Sequence, residues 1–153
     1  MAGPAGGSVN RAGLLLLAAL LAFAPVVVGA QSEDGSLTVS FSGVTRRQGV
    51  VLLALFDGKA AYDANAGPVR TLELPASGGD FAVTLAGLAP GVYAVKSFHD
   101  RDANGKMNFN PLGMPLEPYG FSNNARAPFG PPSWRRAAFE VKAGANGQAI
   151  QLR

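Results

Sequence analysis

Ten consecutive residues, "HDRDANGKMN" from His99 to Asn108, bring together two carboxylates, two amides, a glycine and the only histidine of the chain. Counting Asp100 as position one puts Asp102 at three, Asn104 at five, Gly105 at six, Lys106 at seven and Asn108 at nine. That is the opening of an EF-hand-type loop: side-chain oxygens at one, three and five, glycine for the sharp turn, a backbone carbonyl at seven and a further ligand at nine. Two carboxylates with neutral oxygens suit a hard cation such as calcium and hold it weakly. Position twelve is Pro111, which supplies no carboxylate clamp; Glu117 reaches the site only if "PLGMPLE" folds back over it. The competing reading is a self-bonded turn in which Asp and Asn side chains accept their own downstream amides and Lys106 or Arg101 offsets the charge.

A single imidazole excludes every multi-histidine metal centre and leaves a mixed set of His99, Asp102 and Glu117 as the remaining arrangement. As a general base His99 needs a nucleophile, and Ser122 and Ser133 stand in no nucleophile motif. The bland role for His99 is a hydrogen bond tying the end of a strand to the following loop. Further on, "EPYGFSNNARAPFGPPSW" interleaves Tyr119, Phe121, Phe129 and Trp134 with Ser122, Asn123 and Asn124. Rings and amides in that mixture either line a shallow ligand pocket or pack the loop onto the domain as a satellite core. No P-loop, GxGxxG or HExxH pattern occurs.

The elements that must carry these residues read as strands. "LTVSFSG" alternates Leu37, Val39 and Phe41 with polar residues, the period of a strand with one wet face. "VVLLALF", Val50 to Phe56, is apolar on both parities and reads as a central strand. "DGKAAYD" after it reads as a turn and solvated loop. Phe81, Val83 and Leu85 alternate inward before "GLAPG" turns the chain as a hairpin into a return strand from Val92 to His99. Residues 100 to about 132 hold prolines at 111, 115, 118, 128, 131 and 132 and read as an irregular rim. "AAFEV", a turn at "GANGQ" and "AIQLR" complete six or seven short strands. The expected fold is all-β, a small antiparallel β-sandwich with a long rim loop rich in proline, asparagine and aromatic residues.

Arg11 followed by the apolar run Leu14 to Val28, with Val28 and Ala30 at small-residue positions, reads as a signal peptide over residues 1–30. It leaves a tail at 31–36 and a single domain at 37–153, exported to the periplasm or secreted, with no stable membrane span after cleavage. The chain has no cysteine, which removes disulfides, thiolate chemistry and a cysteine-linked lipid anchor. Its 13 basic and 10 acidic residues form no dense basic stripe, so a nucleic-acid partner is not expected.

The segment "GLAPGVYAVKSFHDRDANGKMNFNPLGMPLEPYGFSNNARAPFGPPSWRRAAFEV", Gly87 to Val141, resembles the signature of the bacterial exported family numbered 2141 among domains of unknown function, and "GVVLLALFD" resembles its early strand. The resemblance implies a small exported β-sandwich of immunoglobulin- or transthyretin-like character, without an established activity or substrate. His99, Asp100, Asp102, Asn104, Gly105, Glu117, Tyr119, Gly120, Ser122, Asn123, Asn124, Pro131 and Phe139 fall on the family pattern. Asn108 departs from it, because aspartate is commoner there.

Three functions compete on these residues. The first is a noncatalytic module that binds a small ligand, a glycan or an envelope protein through a rim of His99, Glu117, Tyr119, Phe121, Ser122, Asn123, Asn124 and Trp134. It requires no cofactor, with weak calcium at Asp100, Asp102, Asn104, Lys106 and Asn108. The second is a hydrolase-like enzyme centred on His99, Asp100, Asp102 and Glu117. The third is a purely structural accessory module.

Overall fold

The computed structural model describes residues 33–153, so the signal-peptide reading of residues 1–30 lies outside the described residues. Strand β1 (Gly35–Ser42) is the alternating segment expected from its sequence, with Leu37, Val39 and Phe41 buried. It lies between β4 (Phe81–Leu88) and β8 (Gly144–Gln151) in a three-stranded sheet. The second sheet runs β3 (Arg70–Pro75), β2 (Val50–Phe56), β5 (Gly91–Asp100) and β6 (Tyr119–Phe121), with β7 (Phe139–Val141) paired to β5 at its other end. Leu37, Val39, Phe41, Leu85 and Ile150 of the first sheet bury against Val51, Leu53, Leu55, Tyr93 and Val95 of the second. Side chains of this size contribute about 1.5–3 kcal/mol each when fully withdrawn from water. The chain is all-β, in two sheets with a core shared between them.

Four local expectations change. Strands β4 and β5 do not form a hairpin, because they belong to opposite sheets and "GLAPG" carries the chain from one to the other. The Tyr93 hydroxyl braces that corner by donating to Ala89 O at 2.8 Å. The first and last strands, β1 and β8, pair in parallel, so the sheets are not purely antiparallel, and "GANGQ" lies within β8 rather than forming a turn. β3 and the short β6, the latter inside the proline-rich section, had no period long enough to announce them.

The fourth change is "DGKAAYD", which contains helix α1 (Lys59–Ala64) instead of a solvated loop. The helix lays Tyr62, only 1% exposed, on the outer face of the five-stranded sheet against Phe56 and Trp134. Trp134 arrives there on α2 (Trp134–Ala137). Lys96 projects from β5 into this second cluster, 4.2 Å from the Tyr62 ring centre and 5.3 Å from that of Phe56. Its ammonium donates to Tyr62 O at 2.6 Å and Asn65 Oδ1 at 3.2 Å, a cation closing the C-terminal end of α1.

Burial, with a smaller contribution from Asp63, pushes the Tyr62 phenol up to about 12 from its ordinary 10.0. The folded protein therefore holds a proton that the unfolded chain has released between these pH values, and stability falls as pH rises through that window. Lys96 works in the opposite sense below its ordinary 10.5, because burial lowers its pKa. Denaturation curves at rising alkaline pH are expected to lose midpoint more steeply in the wild type than in Tyr62→Phe. A phenolate absorbance from Tyr62 that develops already near pH 10 would contradict the burial argument.

Candidate functional site

Period two along β5 separates the chemistry of its last two residues. His99 shares the inward face of Tyr93, Val95 and Ser97 and is fully buried, whereas Asp100 points from the other face. The His99 Nε2 lies 2.7 Å from Gln48 O in the loop after β1. A carbonyl can only accept, so Nε2 carries the proton and donates. The imidazole thus ties the strand to the β1–β2 loop rather than to the loop that follows it, and takes no place on the open rim.

Asp100 begins a loop that is self-bonded in the way its sequence allows. Its two carboxylate oxygens accept Asn104 N at 3.2 Å and Gly105 N at 2.7 Å. Gly105 has φ +76°, the left-handed conformation that glycine adopts without penalty. Ala103 is also left-handed at φ +55°, at a cost of roughly 1–2 kcal/mol, where Asp102 accepts Asn104 N and the turn holds it. Lys106 N donates to Asn104 Oδ1 at 2.7 Å.

The part that sequence left conditional is the return of Glu117. Residues 109–116 double back through a bridge between Phe109 and Pro115, and Leu116 N donates to Asn108 O at 2.9 Å. Glu117 is thereby buried beneath the loop, where its carboxylate accepts Arg101 N at 2.8 Å and Asn108 N at 3.0 Å. Oxygens of Asp100, Asp102 and Glu117 all come within 4.8 Å of one another. Among the described residues no lysine or arginine forms an ion pair with any of the three.

Asn104 and Asn108 complete the ring: each donates from its amide to Asp102 Oδ2 at 2.9 Å. These hydrogen bonds, that of Asn108 above all, hold the Asp102 carboxyl below the usual carboxylate range against the opposing effect of desolvation. An ionised carboxylate offers about four acceptor positions, so Asp100 and Glu117, each accepting two amides, retain capacity for a further positive partner. Three carboxylates this close repel one another, and the amides around them offset that repulsion. The carboxylates of Asp100, Asp102 and Glu117 supply the oxygens a hard divalent cation takes, while Asn104 and Asn108 turn their amide nitrogens to Asp102 and would add oxygens only on rotating.

The residues expected to line the rim divide between two tasks. Ser122, Asn123 and Asn124 are committed to backbone. The buried Ser122 Oγ accepts Val95 N at 2.9 Å and donates to Ala137 O at 2.6 Å. Asn123 Nδ2 meets the carbonyls of Arg136, Ala137 and Ala138. Asn124 imitates a neighbouring strand for β8, donating to Ala149 O at 3.1 Å and accepting Gln151 N at 2.8 Å. Trp134 sits in the Tyr62 cluster, away from Tyr119 and Phe121, so the four aromatic residues do not make one platform.

Tyr119 and Phe121, edge to face at 5.8 Å, do border an open cleft of about 330 Å³. Its lining also includes Asn124, which thus keeps a place on the expected rim, with Arg126, Gln151 and Arg153, and no carboxylate side chain. Sequence reasoning missed these arginines because Arg153 reaches the cleft only through reciprocal backbone hydrogen bonds with Tyr119, a pairing without a local signal.

Residues 39–149 match the family described as "Uncharacterized protein conserved in bacteria (DUF2141)". The chain belongs to that family. No curated protein and no solved structure matches it. The matched span contains the whole carboxylate loop and its Glu117 closure of this DUF2141 protein, while Gln151 and Arg153 of the cleft lie beyond it.

Proposed function

We propose that this chain is an exported, noncatalytic β-sandwich module of the periplasm or the secreted fraction, whose 99–134 rim binds a partner and is organised by a calcium-type cation. The observation that carries the reading is the return of Glu117, which adds a third carboxylate to a loop already shaped for a hard cation and left without a cationic side chain. The cleft beside Tyr119 and Phe121 is the place on this rim for a small ligand or glycan, with Arg126 and Arg153 favouring one that carries negative charge. The hydroxyl of Tyr93, bonded four residues upstream, supports an immunoglobulin-like sandwich, since that fold uses such a tyrosine corner. His99 and Ser122, the groups a hydrolytic reading needs, are both engaged by backbone, which favours binding over catalysis.

Calcium is expected to bind with a Kd between about 10 µM and 1 mM, the range of extracellular and weaker sensor sites. At one hundred times Kd it should add about 2.7 kcal/mol of stability. For a domain of this size that is a rise of roughly 8–12 °C in Tm. Asp102→Asn should weaken the calcium response and slightly lower the midpoint in chelator, because the donors of Asn104 and Asn108 lose a charged acceptor. Flat calorimetric titration, with melting curves that superimpose in calcium and in chelator, would return the loop to a self-bonded turn.

A further inference from the structure

Of the seven large apolar side chains left exposed among the described residues, four come from one eight-residue tip: Phe109 at 57%, Leu112 at 86%, Met114 at 60% and Leu116 at 56%. This tip is not loosely held. Asn110 Oδ1 accepts both Leu112 N and Met114 N at 2.9 Å, Asn110 N donates to Met114 O, and Gly113 N donates to Asn110 O. The backbone is satisfied by its own loop, so the apolar side chains are presented outward rather than folded in. At its two ends the tip runs directly into Asn108 and Glu117 of the carboxylate cluster.

We propose that this tip docks the protein on an anionic lipid bilayer and does so when calcium occupies the cluster at its base; the calcium dependence rests on the reading of the preceding subsection. Two observations favour a bilayer over a protein partner. The exposed side chains offer on the order of 400 Å², about half of the roughly 800 Å² that each side of a standard protein interface contributes. An eight-residue tip exposing four apolar side chains needs no complementary groove when those side chains enter the acyl boundary and its flanks stay among headgroups.

Charge supplies the switch. The β1–β2 loop lies at the same end of the sandwich, since Val50 pairs with Asp100, and β8 ends there too, since Ser42 pairs with Gln151. This end therefore carries Arg46, Arg47, Arg101, Lys106 and Arg153, with Arg126 beside Arg153 in the cleft, against Asp80 and the three clustered carboxylates. The side-chain charges already lean positive, and a bound dication offsets two of the clustered negative charges and strengthens the attraction to acidic headgroups.

The test is cosedimentation of the full domain with vesicles of phosphatidylcholine containing about 30 mol % phosphatidylglycerol, in calcium and in chelator, at low ionic strength where headgroup attraction is least screened. Melting curves are recorded on the same samples. Calcium-dependent binding, lowered about tenfold or more by Leu112→Ser combined with Met114→Ser, is the expected result. Both residues are exposed and their backbone amides remain in place, so this variant should keep the wild-type calcium shift in Tm. A calcium shift in Tm without vesicle binding overturns the docking and leaves the cation reading intact. No calcium shift at all removes the cation reading and the switch with it. Binding that survives in the double variant overturns the role of the tip. Calcium-dependent self-association without vesicles, lost in the same variant, reassigns the tip to a second copy of the chain.

Discussion

Tyr62→Ala is expected to lower the stability of the folded domain by about 3–5 kcal/mol, the range for deleting a fully buried aromatic side chain. Three separate losses add up at this position. The ring leaves a void between Phe56 and Trp134, both of which meet it edge to face at 5.7 and 5.6 Å. Its hydroxyl no longer donates to Pro132 O, a 3.0 Å bond that pins the proline-rich strap to the outer face. Lys96 loses the nearer of its two aromatic faces and keeps only that of Phe56. Tyr62→Phe separates these effects, because it keeps the ring and the cation contact and gives up the hydroxyl, at about 1–2 kcal/mol. Chemical denaturation of both variants measures the difference. Equal midpoints for Tyr62→Ala and wild type would show that α1 contributes nothing to the domain and that the second cluster is ornamental.

Glu117→Ala is expected to cost about 2–4 kcal/mol in chelator, because the amides of Arg101 and Asn108 lose their shared buried acceptor. Relief of carboxylate repulsion offsets part of that cost, so the lower half of the range is the expected outcome. Its effect in calcium is larger. Without Glu117 the loop has no clamp, since Pro111 occupies the usual twelfth position, and the calcium-dependent rise in Tm should vanish. Glu117→Gln keeps an acceptor for only one of the two amides, which bond different carboxylate oxygens, so it should recover part of the stability lost in Glu117→Ala while still losing most of the calcium response. Should Glu117→Ala show the wild-type calcium shift, the cation lies elsewhere or the loop binds it without the third carboxylate. The two glutamate variants therefore separate what the carboxylate does for the fold from what it does for an ion.

The strands with a clear period were legible without coordinates. β1, β2 and β5 form where alternation or an unbroken apolar run demanded them, and the all-β class follows, because a period of two cannot bury its apolar face as a helix. The oxygen-rich loop was legible for the same kind of reason: ligand spacing and the glycine turn are local properties, and Gly105 takes its positive φ within the segment that announces it. The limits appear wherever partners lie far apart in the chain. "GLAPG" has turn chemistry whether it joins two strands of one sheet or two sheets, and only the burial of β4 and β5 in opposite sheets chose the second. "DGKAAYD" is too short for a helical period to show, and α1 forms because Tyr62 finds Phe56, Trp134 and the Lys96 ammonium on the outer face.

The rim follows the same division. Its composition of amides, prolines and rings suits ligand binding and loop packing equally well. Tertiary contacts assigned Ser122, Asn123 and Asn124 to backbone groups on β5, β8 and the residues around α2. They also gathered Arg126 and Arg153 beside Tyr119 and Phe121. By itself the sequence determined the strand periods, the absence of thiol chemistry and the first carboxylates of a cation-type loop, since each depends on residue type and short spacing. Tertiary structure alone decided that His99 packs on the core face of β5 while Asp100 is buried on the opposite face beneath its loop, and that Glu117 folds back to make the third carboxylate. Those outcomes depend on which face of β5 packs on the core and on a long return of the chain, whose closure is driven by burial rather than by local preference.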